Sequence, residues 1–95
     1  MTSRVEMIEN RLRNALDPIR LEIVDDSQSH AGHAGALESG GGHFYAMIVS
    51  NAFAGKSLVQ RHQLVYAALG DLMQSIIHAF SMKVLSPDEF INKEV

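Results

Sequence analysis

The sequence predicts a small α+β domain with helices packed on one three-stranded sheet, in the order α-β-β-α-α-β-α. Three observations predict it. Ninety-five residues suit a single domain, spanning 1–95, with one modest core. A hydrophobic content of 46% with 20% charged residues is that of a packed globular chain and not of a disordered one. The apolar residues also change period along the chain, recurring every three or four positions in some segments and every second position in others.

Each element has its own signature. Val5, Ile8, Leu12 and Leu16 make one apolar face of a helix over about Ser3 to Leu16, with Ser3 as its cap, Glu6 as the capping-box partner and Asp17-Pro18 as its stop. Ile19, Leu21 and Ile23 alternate with Arg20 and Glu22, which reads as a half-buried strand. From Asp25 to Gly42 the chain is rich in glycine, alanine and histidine and poor in large apolar residues, as in a flexible loop. His43 to Ser50 is a second strand, with Phe44, Ala46 and Ile48 on one face; with no helix between them, the two strands are expected to pair antiparallel. Phe53 to Gly55 forms a turn, and Ser57 caps a helix whose stripe reads Leu58, His62, Val65 and Leu69. Gly70 breaks that helix, and a short one follows with Leu72, Met73, Ile76 and Ile77 inward. His78 to Val84 is the third strand, and Ser86-Pro87-Asp88-Glu89 opens a last short helix, with proline at its first position.

Composition narrows the function. A formal net charge of −3 lacks the footprint of an avid nucleic-acid binder. No segment approaches the roughly 20 apolar residues of a membrane-spanning helix, and the N-terminal charges leave no continuous apolar stretch for a secretory signal. The expected location is the cytoplasm, with an organellar matrix as the other choice. There is no cysteine, which removes disulfides and any CxxC redox site.

Histidine then becomes the residue to follow. His30 and His33 are separated by two residues within the loop, with His43 just beyond it, and imidazole is the commonest side-chain metal ligand. An H-x-x-H pair among glycines reads equally as an exposed loop without a role. A zinc or copper site built on His30 and His33 alone lacks a fixed third ligand. His62, inside its helix stripe, reads as structural, bonded to a loop carbonyl. Lys56, Ser57 and Arg61 gather near a helix N-terminus after Gly55, where anions can bind, but the glycine spacing is not that of a phosphate-binding P-loop. A helix-turn-helix over residues 57–77 would present Asp71, Gln74 and Ser75 to a groove, with no lysine or arginine on that helix. Ser57 and His62 fall on different helix faces, so nucleophilic catalysis has no triad, and the chain reads as a non-enzyme with no catalytic residues.

These segments resemble the BolA family. Leu21-Glu22-Ile23 with Asp25-Asp26-Ser27, then Ser29-His30-Ala31-Gly32-His33, His43-Phe44 and Ile48-Val49-Ser50 match its first half. Phe53-x-Gly55-x-Ser57-x-x-x-Arg61-His62 followed by Ile77-His78-Ala79 matches its second. The resemblance covers nearly the whole chain. It implies the α-β-β-α-α-β-α order about a three-stranded mixed sheet, similar to a class II KH domain. The GxxG nucleotide loop of such domains is missing from Ala68-Leu69-Gly70-Asp71-Leu72-Met73, which speaks against KH-type RNA clamping.

The resemblance further implies a partnership with a monothiol glutaredoxin, sharing a [2Fe-2S] cluster held by the partner's thiolate, by glutathione and by histidines of this chain. His78 is the expected ligand, joined by His30 or, within reach on the same loop, His33. Alone, the chain is expected to carry no cofactor and to be a monomer or weak homodimer. The alternative is a stress-responsive DNA-binding regulator acting through Lys56, Ser57, Arg61 and Lys83; Phe53, Gly55 and His62 are expected to be structural, and Arg61 with His62 to act first on structure. Two positions depart from the family's habit, Gly42 and Ala54, where acidic residues are common; neither is expected to touch a proposed ligand.

Overall fold

The computed structural model describes residues 3–25 and 42–94. Helix α1 (Arg4–Leu16) is followed by β1 (Arg20–Asp25), β2 (His43–Val49), a short 3-10 turn (Asn51–Phe53), α2 (Leu58–Leu69), α3 (Leu72–Ser75), β3 (Ala79–Leu85) and α4 (Pro87–Glu94). The strands form one mixed sheet in the order β1-β2-β3, antiparallel between β1 and β2 and parallel between β2 and β3. The predicted element order and the antiparallel first pair are therefore present. The glycine-rich stretch, with His30 and His33, lies outside the described residues.

The caps follow the sequence signals. Ser3 Oγ accepts the N–H of Glu6, while the Glu6 carboxylate takes the Ser3 hydroxyl. Ser57 and Gln60 complete a reciprocal capping box at the start of α2. Asp17 ends α1 in the left-handed region at φ 45°, and Gly70 ends α2 at φ 51°.

The core lies between α1, α2 and one face of the sheet. Ile8, Leu12 and Leu16 of α1 join Val65 and Leu69 of α2 over Phe44, Ala46 and Ile48, all buried. Each of these side chains larger than Ala46 contributes about 1.5–3 kcal/mol on leaving water. The exposed ion pairs Arg13–Glu9 and Arg11–Asp71 contribute about 0–1 kcal/mol each, so apolar burial holds helices to sheet. Arg11 also donates to the Leu69 carbonyl at the end of α2, and its guanidinium lowers the Asp71 carboxyl below the ordinary carboxylate range. Among the described residues no helix is long and apolar enough to cross a membrane.

Two expectations need correction. Ile19 does not face the core: it precedes β1, its N–H bonds the Val49 carbonyl, and its side chain is 60% exposed. The stripe of α2 is also rotated. Leu58 is 62% exposed and His62 half-buried, while Arg61 is the buried residue one turn before Val65 and Leu69. The apolar spacing alone favoured Leu58 and His62; the Arg61 charge is tolerated inside because Glu89 meets it from α4.

Glu89 does two jobs at the start of α4. Its carboxylate accepts the Ser86 N–H while Ser86 Oγ accepts the Glu89 N–H, a capping box, and the same carboxylate takes both Arg61 terminal nitrogens at 2.6 and 3.1 Å. The Arg61 hydrogen bonds, then the Ser86 N–H, hold its carboxyl down from an ordinary 4.5 to about 2. A carboxylate with a lowered folded pKa stabilises above its unfolded pKa, and the effect is lost as pH falls through the folded one. Acid destabilisation should therefore carry a Glu89 contribution between about pH 4.5 and 2. In thermal melts across that window, Glu89→Gln is expected to show a shallower fall in Tm than the wild type. Parallel acid limbs would show that the ion pair does not couple to folding.

Candidate functional site

Two strands that run parallel and start side by side bring their first residues together. Here β2 begins at His43, which pairs in register with Ala79, the first residue of β3. Just before them, the Gly42 carbonyl accepts the N–H of His78 at 2.7 Å and that of Ala79 at 3.1 Å. The two imidazoles consequently lie beside each other, with ring centroids 5.2 Å apart and planes at 51°. His43 is half-buried and His78 exposed.

The third strand starts at Ala79, one residue later than predicted, so His78 stands just before β3, next to the C-terminal end of the glycine-rich stretch. Gly42, not expected to touch a proposed ligand, instead packs against His78: a Cβ at 42 would lie 3.1 Å from His78 N and 3.3 Å from His78 Cβ. His43 was not among the candidate ligands. Its signal was available in the sequence, since a strand–helix–helix–strand order favours parallel neighbours whose first residues adjoin.

The predicted partner or nucleic-acid residues do not form one surface. Lys56 and Ser57 are exposed at the start of α2, beyond the buried Phe53 and the Gly55 turn at φ +74°. Arg61 is 9% exposed and occupied by the Lys56 and Val84 carbonyls and by Glu89, so it is an internal tie, in line with its expected structural role, and its place on a contact surface is corrected. Lys83 is exposed between Met82 and Val84, both packed on the core, so it projects from the sheet face opposite α2. His62 lies half-buried at the margin of the core, without the loop-carbonyl bond expected of it among the described hydrogen bonds.

Among the described residues no group of three or more histidines and acids is placed to hold a metal ion. Among those residues the imidazoles brought side by side are His43 and His78, the latter open to solvent.

A sequence model of the family described as BolA-like protein matches residues 12–89. SufE-like protein 1, chloroplastic/mitochondrial, of Arabidopsis thaliana is 46% identical over 91 residues, which are 92% of this chain and 24% of that protein. This chain accordingly spans about a quarter of that relative's length. The DNA-binding transcriptional regulator BolA of Escherichia coli is 35% identical over 85 residues, covering 90% of this chain and 77% of the relative. Among solved structures, the BolA domain of SufE1 from Arabidopsis thaliana superposes with a TM-score of 0.79 at 44% identity, over 94% of this chain and 98% of that domain.

Proposed function

Because the chain belongs to the BolA-like protein family, we propose that it is an adaptor that pairs with a monothiol glutaredoxin and shares a [2Fe-2S] cluster with it, in iron–sulphur trafficking or iron homeostasis. The observation that carries this reading is the His78 imidazole, exposed, set beside His43 and tied through its main chain to Gly42. Imidazole replaces thiolate on iron in Rieske centres, so the donor type fits. When bound, such a cluster supplies a one-electron centre whose potential follows its ligands. The lack of cysteine leaves the thiolates to glutaredoxin and glutathione. His78 would supply one nitrogen from this chain, and the loop residues His30 or His33 a second. The backbone bond to Gly42 orients His78 before any partner arrives, which reduces the ordering cost of association. An organellar matrix is as compatible with this role as the cytoplasm, given the chloroplastic/mitochondrial name of the Arabidopsis relative.

The name of the Escherichia coli relative supports a second reading, regulation through DNA. It asks more of this surface: the net charge is −3, Arg61 is internal, and Lys83 lies on the sheet face away from Lys56. Two measurements weigh the readings against each other. Mixed anaerobically with a cluster-loaded monothiol glutaredoxin and glutathione, the chain should form a heterodimer on gel filtration with an altered visible circular dichroism spectrum. An unchanged glutaredoxin homodimer spectrum would refute the adaptor reading. Sub-micromolar, sequence-selective duplex binding at physiological salt would put the regulator first.

A further inference from the structure

We propose that Gly42 is the positioning residue for His78, an inference that rests on reading His78 as the ligand offered to a partner's cluster. Gly42 has φ +77°, in the left-handed region that L side chains rarely adopt. Its Cα face meets the turn leading into β3: a Cβ there would lie 2.9 Å from the Ile76 carbonyl oxygen, 3.1 Å from His78 N and 3.3 Å from His78 Cβ. Two of these three neighbours are backbone atoms, which cannot swing aside as a side-chain terminus would. Its carbonyl, by contrast, binds both His78 and Ala79, fixing where β3 begins relative to β2.

The two features belong together. The bare Cα lets the chain at 42 approach the Ile76–His78 turn, and the approach brings the carbonyl within hydrogen-bond distance of two amides. His43, the next residue, is thereby set beside the His78 ring at 5.2 Å. On this chain's backbone, with residue 42 at φ +77°, an added Cβ pushes the turn away, and His78 moves with it. The core side of the sheet, carrying Phe44, Ala46 and Ile48, is not in that path.

The molecule contains its own control. Gly55 has nearly the same backbone angle, φ +74°, yet a Cβ there would meet nothing within 4 Å. Gly42→Ala and Gly55→Ala therefore share the cost of an L residue at positive φ, and only the first adds the clash with His78.

The test uses the full chain. In the isolated, isotope-labelled protein, Gly42→Ala should lose the nuclear Overhauser contacts between the His43 and His78 rings, whereas Gly55→Ala should keep them, with both variants folded. Mixed with cluster-loaded monothiol glutaredoxin and glutathione, Gly42→Ala should form the heterodimeric cluster at least tenfold more weakly than Gly55→Ala. In the wild type, couplings through hydrogen bonds should link the His78 and Ala79 amides to the Gly42 carbonyl. Retained ring contacts in Gly42→Ala, absent couplings in the wild type, or failure of Gly42→Ala to fold would each overturn the positioning role. If the wild type itself forms no heterodimeric cluster, the adaptor reading fails, while the ring contacts and couplings still judge Gly42.

Discussion

His78→Ala is expected to abolish the heterodimeric cluster spectrum while leaving the chain folded. The side chain is exposed and stands outside β3, and its main-chain bond to Gly42 does not depend on the imidazole. Truncation at such a surface position costs within about 0.5 kcal/mol of stability. The loss of a metal-ligating nitrogen is larger in effect, since even groups that only support a ligand change metal affinity by about 10–100-fold. His43 is adjacent but half-buried, and its ring would have to leave its place in the pair to substitute. His30→Ala should weaken the spectrum less, because His33 is three residues further along the same stretch. The measurement is visible circular dichroism of each variant titrated into cluster-loaded glutaredoxin, with thermal melts run beside it. A wild-type spectrum from His78→Ala would rule out histidine ligation at this position.

What the sequence showed of this fold depended on the range of the interactions concerned. Helix α1 was legible because its spacing, its Ser3 cap and its Asp17-Pro18 stop are all local. The Ser57 cap and the alternation of Phe44, Ala46 and Ile48 were legible for the same reason. The face of α2 was misread by one position, with His62 in place of Arg61, because the partner that allows a charge to be buried is Glu89, 28 residues away. Likewise His78 stood out through its family resemblance, whereas the His43–His78 pair depends on the β2–β3 register across the helices between them. Local pattern marks a residue as unusual; only the register says what it stands beside.

Arg61→Ala is expected to be the most destabilising single change outside the apolar core. The Arg61 side chain is almost wholly enclosed, and its nitrogens reach the Lys56 carbonyl at 3.0 Å, the Val84 carbonyl at 3.2 Å and both Glu89 oxygens. It therefore ties the turn before α2, the end of β3 and the start of α4 to one planar group. Alanine would leave those acceptors facing a void. Breaking a fully buried ion pair costs about 3–5 kcal/mol. Because the Glu89 side chain is 45% exposed and water can replace part of what is lost, we expect about 2–4 kcal/mol for the Arg61 truncation. For a chain of this size that corresponds to a fall in Tm of roughly 10–20 °C. Arg61→Lys should recover little, since an ammonium on a flexible stem cannot reproduce the forked pairing and reach both carbonyls at once. This outcome also bears on function. A surface arginine serving DNA would, on removal, weaken binding and its salt dependence while sparing Tm. If Arg61→Ala melts within about 2 °C of the wild type, by that same size relation, the internal tie is not what holds α4 in place, and Arg61 returns to the list of contact residues.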